Sequence, residues 1–187
     1  MQAGQGKTLQ ERIDERGKLR KQVFGEEGQL VVAGAGGKHI CAACLPVEEA
    51  TNLVIDQTLY WQVIINAEEA WYHVGMLNSH ALTEAVTPFN PRGAFGERHI
   101  HALPYRLIPP YDASNADHAR IAKLAQQVAQ SARGLATTDA YLKNPEHVLH
   151  VRRSKLRAKL REMPAFQEIE VLCAGILGTT AAFEDET

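Results

Sequence analysis

The sequence predicts an α+β fold, with a small antiparallel sheet in the N-terminal half followed by a helical C-terminal region. Between Leu30 and Ile65 the chain runs in short segments rich in β-branched and aromatic residues. After Asn66 apolar residues recur at helical spacing, and the last quarter adds two further helical stretches. A length of 187 residues suffices for one core, so the chain is most simply one domain with an appendage. The expected division is an N-terminal extension over 1–28, an α+β domain over 29–135 and a helical appendage over 136–187.

Thr8 followed by Glu11 has capping-box spacing and opens an expected short helix to about Phe24, weakened by Gly17. Short β runs follow at Leu30–Ala33, Lys38–Ala43, Asn52–Ile55 and Thr58–Ile65. In the last, Leu59, Trp61, Val63 and Ile65 alternate with Tyr60, Gln62 and Ile64, the period of a half-buried strand. Asn66 and Glu69 repeat the capping-box spacing. A single helix is expected from about Ala67 to Val86, with Pro88 forbidding its continuation. Residues 87–112 hold five prolines and two glycines, a density that argues for a long ordered loop with one short strand near Arg98–Ala102. A second helix is expected to start at Ser114 or Asn115 and stop near Gly134. Asn144 as cap and Pro145 open a third, running towards Met163, and Pro164 opens a fourth that ends before Gly178.

A formal net charge of −2 excludes bulk polyelectrolyte behaviour, so any nucleic-acid role rests on local basic patches. Three cysteines leave one unpaired under any disulfide scheme, and no leader or membrane-length apolar run is legible, so a soluble protein of the reducing cytoplasm, with no membrane partner, is expected.

Several fragments imitate catalytic signatures and lack a required position. Gly6-Lys7-Thr8 has no glycine five residues before Gly6 and no preceding strand. Gly34-Ala35-Gly36-Gly37 leads into a strand-like run and suits a hairpin turn better than a dinucleotide site. Ile108-Pro109-Pro110-Tyr111 has isoleucine where methyl transfer to an adenine amine needs a carboxylate or amide. No catalytic residue is therefore assigned. Cys41 and Cys44, with His39, His99 and His101, have the composition of a zinc set, but in a strand the two cysteines face opposite sides and Cys173 sits on an apolar helical face. No metal ligand is assigned. A metal-dependent hydrolase using His99 and His101 stands as an alternative, since a strand would place both rings on one face.

Two cationic groups remain. Arg152, Arg153, Lys155, Arg157, Lys159 and Arg161 run without an acid until Glu162, suited to neutralising phosphates or to docking an acidic partner. Arg92, Arg98, His99, His101 and Arg106, with Asn90, cluster in the long loop, where arginine reads guanine and asparagine reads adenine. The expected DNA-contacting residues are Lys38, His39, Asn90, Arg92, Arg98, His99, His101, Arg152, Arg153, Lys155 and Arg157.

Gly75-Met76-Leu77-Asn78-Ser79, then Phe89-Asn90-Pro91-Arg92-Gly93-Ala94-Phe95-Gly96-Glu97-Arg98-His99-Ile100-His101, then Leu103-Pro104 and Ile108-Pro109 form a pattern across about 30–135. It resembles the TaqI-like C-terminal specificity region of adenine-N6 DNA methyltransferases and bifunctional restriction–modification enzymes. The resemblance implies that residues 29–135 are a target-recognition domain for double-stranded DNA. It also implies a methyltransferase catalytic domain, in cis or in trans, that binds S-adenosylmethionine and flips the target adenine. The chain has neither the cofactor-binding glycine motif nor the Asn/Asp-Pro-Pro-aromatic motif, so no cofactor is expected here and methyl transfer does not carry over. A protein-interaction subunit docking through the basic helix is the other alternative.

Overall fold

A computed structural model of the chain describes residues 14, 17, 21–36, 39–56, 59–89 and 103–179. Most of the helix expected over 8–24 and all of the strand expected near 98–102 lie outside these residues.

The β-rich runs form one three-stranded antiparallel sheet. Strand β1 (Gln29–Gly36) pairs with β2 (His39–Pro46), with Val31 opposite Cys44 and Gly36 opposite His39. The glycine-rich run therefore serves the hairpin between them. Strand β3 (Tyr60–Ile64) joins the other side of β1, with Leu30 opposite Val63, so the order is β2-β1-β3. The expected strand at Asn52–Ile55 is absent. A 3-10 turn over Val47–Ala50 leads instead into an irregular stretch, where Gln22 donates to the Ile55 carbonyl at 2.6 Å and accepts from its amide at 2.9 Å. A side chain has taken the backbone groups that a ladder would need.

The single helix expected over 67–86 is two. Helix α1 (Ala67–Asn78) starts at Asn66, whose side chain accepts from the Glu68 and Glu69 amides. Ser79 is extended, its Oγ donating to the Met76 carbonyl at 2.7 Å and accepting from the Leu82 amide at 3.1 Å, which closes α1 and starts α2 (His80–Val86). A 3-10 turn (Thr87–Phe89) and the short helix α3 (Leu103–Leu107) flank segment 90–102. Helix α4 (Ala116–Thr138) starts on Asn115 as expected but passes Gly134, with the Thr137 and Thr138 hydroxyls bonded back to the Gly134 carbonyl. The third predicted helix begins later than Asn144. That side chain accepts from the Glu146 amide to make a turn, His147 stacks on Tyr141 at 3.8 Å, and α5 runs over Leu149–Arg161. Helix α6 (Pro164–Leu177) ends on Gly178, left-handed at φ 66°.

One hydrophobic cluster joins the helix-side face of the sheet (Val31, Ala33, Ile40, Cys44, Ile64) to α1, α2, α4 and α6. Ala165, Ile169, Cys173 and Ala174 of α6 belong to it, so a division after residue 135 runs through a shared core. Where α1 crosses α4, Gly75 permits the approach: a Cβ there would stand 2.5 Å from Ile121 Cγ2. The opposite sheet face carries a smaller cluster of Leu30, Val47, Ala50 and Ile55, edged by Phe24, Trp61 and Val63. Trp61 and Val63 alternate with Ile64 as predicted, but both faces are covered: Ile64 enters the main core, while Leu59 and Ile65 of the expected apolar set lie exposed beyond the strand ends. Among the described residues no helix is long and apolar enough to cross a membrane.

Candidate nucleic-acid interface

Strand β2 is an edge strand, and the outward backbone groups of Ile40 and Ala42 are covered by side chains from three helices. Asn78, the last residue of α1, accepts from the Ala42 amide at 3.1 Å and donates to the Ala42 carbonyl at 2.9 Å, as a neighbouring strand would. Its amide also donates to the Val74 carbonyl at 3.0 Å. Thr83 of α2 accepts from the Ile40 amide at 3.4 Å, and Arg157 of α5 donates to the Ile40 carbonyl. The Leu77-Asn78-Ser79 element thus closes one helix, starts the next and seals the sheet edge.

The cations of α5 face inward as much as outward. Arg152 donates to the Leu142 carbonyl at 2.7 Å, and Lys155 stands 3.8 Å from the centroid of the Tyr141 ring. Arg157 reaches the Cys41 thiol as well as the Ile40 carbonyl. Lys159 pairs with Asp139 at 3.0 Å, and this carboxyl is held below its usual range by the Leu142 amide and the Lys159 ammonium. Arg161 meets the His39 ring nitrogen at 3.1 Å. Arg153 is exposed. From Asp139 to Arg161 seven lysines and arginines face two acids, so the surface remains basic although most of its cations have intramolecular partners.

At the start of β2, His39 is buried and its ring lies 5.6 Å from that of His80. Below them Glu170 of α6, only 4% exposed, accepts from the His80 amide at 2.8 Å and from the Ala81 amide at 3.4 Å, capping α2 from another helix. Burial pushes this carboxyl up, opposed by those amides, the His80 ring and Arg161. The His80 ring nitrogens lack aligned hydrogen bonds, although Glu84 stands 3.2 Å from Nε2. Neither Glu170 nor His80 is legible as important from sequence, since each sits inside an otherwise apolar helical pattern.

Of the residues expected to contact DNA, His39, Arg152, Arg153, Lys155 and Arg157 are described. Arg157 meets β2 and His39 meets Arg161, whereas Arg152 and Lys155 meet the turn at 139–142 and Arg153 is exposed. Lys38, Asn90, Arg92, Arg98, His99 and His101 lie outside the described residues. The two flanks of segment 90–102 are fixed. Val86 is fully buried and Thr87 bonds back to the Thr83 carbonyl; beyond the segment, Ile108 is buried and the Pro109 carbonyl accepts from the Tyr72 hydroxyl at 3.2 Å. The Ile108–Tyr111 tetrapeptide is structural, with Tyr111 donating to Glu68 at 2.8 Å. Cys44 lies in the main core, its thiol pushed up to about 11 by burial despite Arg133, while Cys41 meets Arg157 outside that core. Among the described residues no group of three or more histidines, cysteines or carboxylates is placed to hold a metal.

The fold defines a class of α+β domain in which helices cover one face and one edge of a three-stranded antiparallel sheet. No protein-family model, curated protein or solved structure matches the chain.

Proposed function

We propose that the chain is the DNA target-recognition part of an adenine-N6 DNA methyltransferase of restriction–modification type, working in the cytoplasm. The observation that carries this reading is the anchoring of both flanks of segment 90–102 on a packed scaffold that also carries a basic helix. Recognition residues are most often carried by loops held on rigid elements. In this reading Asn90, Arg92, Arg98, His99 and His101 approach base edges and Lys38 the adjoining backbone, while His39, expected from the sequence to join them, is buried and bonded to Arg161 and offers a phosphate little surface. Arg152, Arg153, Lys155 and Arg157 add sequence-independent grip on phosphates. S-adenosylmethionine and the reacting groups belong to a catalytic domain in cis or in trans.

Fluorescence anisotropy of labelled duplex DNA, titrated with the full chain at several salt concentrations, tests the reading. Affinity should fall log-linearly with salt, and Arg98→Ala should weaken binding to a preferred site more than to random duplex. No binding at about 50 mM salt would refute a phosphate interface.

A second reading, a protein-interaction subunit, is favoured by the exposure of Val148 (59%) and Leu149 (54%) at the start of α5. It expects a stable protein partner and no DNA retardation.

A further inference from the structure

Helix α5 is held differently from its neighbours. None of its residues is buried, and none of its apolar side chains joins either hydrophobic cluster, whereas α4 and α6 both contribute to the main core. Its side chains are tied to the rest of the chain through cations: Arg152 on Leu142, Lys155 on Tyr141, Arg157 on Ile40 and Cys41, Lys159 on Asp139 and Arg161 on His39.

Contacts of this kind are individually weak, and the ion pair among them, Lys159–Asp139, is screened by salt. A helix of 13 residues whose apolar side chains are at most partly buried is also marginal by itself. Elements held this way open at a small fraction of the global unfolding free energy. The groups that hold α5 are also the groups that a phosphate backbone takes. A phosphate oxygen makes a charge-assisted bond stronger than the bond of a guanidinium to a neutral carbonyl or thiol. Docking onto the domain and full engagement of phosphates therefore compete for the same side chains.

We infer that α5 is a clasp. In the free chain it is docked and self-occupied, covering the Ile40 edge of β2 and the turn at 139–142. The phosphate backbone of duplex DNA releases it by taking its cations. This inference rests on the DNA reading for its trigger, but the clasp itself is a property of the free chain.

Zero-length carbodiimide coupling tests it, because Lys159 Nζ lies 3.0 Å from Asp139 Oδ2 and the two join as an amide only while α5 is docked. The full chain is coupled at low salt, at about 0.5 M sodium chloride and with saturating duplex DNA, and the Lys159–Asp139 peptide is quantified by mass spectrometry. Hydrogen exchange over 139–161 is measured in the same three conditions. Coupling should fall roughly threefold or more in salt and in DNA, with faster exchange over 139–161 in both. Unchanged coupling and exchange at high salt would overturn the clasp whether or not DNA binds. DNA binding seen by anisotropy with unchanged coupling would overturn it and leave the DNA reading standing. Lost coupling with unchanged exchange would mean that DNA merely masks Lys159 on a docked helix, and would overturn it too. Release by salt without any binding of DNA would remove the trigger together with the DNA reading.

Discussion

Asn78→Ala should destabilise the chain by far more than a change at a half-buried helix end normally does. The side chain makes three hydrogen bonds, at 3.1, 2.9 and 3.0 Å, to Ala42 N–H, Ala42 C=O and Val74 C=O. At a net worth of about 1 kcal/mol each, with an added penalty for the stranded strand groups, the expected loss is about 2–4 kcal/mol. For a chain of this size that is a fall in Tm of about 5–15 °C. Asn78→Asp separates the contributions: it keeps the acceptor for Ala42 N–H but opposes oxygen to oxygen at both carbonyls. It should therefore cost at least as much as alanine at neutral pH. The assay is urea unfolding followed by circular dichroism, with hydrogen exchange at β2 as the local readout. A cost below about 0.5 kcal/mol, with the Ala42 amide as protected as before, would refute the claim that this side chain substitutes for a missing strand.

Gly75→Ala forces a Cβ to within 2.5 Å of Ile121 Cγ2, and the α1–α4 crossing must open. A net loss of about 1–3 kcal/mol is expected after the gain in helix propensity, partly relieved in a double variant with Ile121→Ala, as a double-mutant cycle would show. Because burial raises the folded Glu170 carboxyl, its contribution is neutral below the unfolded carboxylate range and unfavourable as pH rises through the folded value. Glu170→Gln should thus be better tolerated at pH 7 than at about pH 4 in paired urea melts; the reverse order would mean that the amides of His80 and Ala81 outweigh burial. Charge reversal at Arg153, the exposed cation of α5, should weaken duplex binding alike for all sequences at low salt, and unchanged anisotropy would take that position out of the interface.

Strand alternation and the hairpin were readable because both are local: Trp61 and Val63 alternate with Ile64, and the glycines from Gly34 onward mark the end of β1 at which the hairpin partner β2 follows. The break at Ser79 was not readable in the same way. The apolar stripe continues through Ala81 and Ala85, and what divides the helix is a hydroxyl that bonds backward and forward at once. Asn144 carried a true capping signal, yet it opened a turn that the Tyr141–His147 stack completes. The basic face of α5 was legible as charge but not as structure. Arg157 and Arg161 meet β2 residues 116 to 122 positions away, and nothing in local sequence announces such partners. Glu170 was hidden for the same reason: its two amides lie 89 and 90 residues upstream, at the start of a helix whose existence depended on Ser79.

Within the segments that carry the resemblance, the described residues have structural roles. Leu77, Asn78 and Ser79 bury a side chain, pair a strand and cap a helix, while Ile108 and Pro109 anchor the chain where it returns to the core. Each of these roles constrains residue type strongly and says nothing about a DNA sequence. Segment 90–102 differs in composition, with Asn90, Arg92, Arg98, His99 and His101 among its 13 residues. On the DNA reading, a scaffold of this kind accepts changes of recognised sequence by substitution within 90–102, without loss of stability, provided that Asn78, Ser79, Ile108 and Pro109 stay. Exchanging Asn90, Arg92 and Arg98 together should therefore alter which duplex is preferred while leaving the urea midpoint within about 0.5 kcal/mol of the parent. A large loss of stability instead would make the segment part of the frame, and the basis for reading bases with it would be gone.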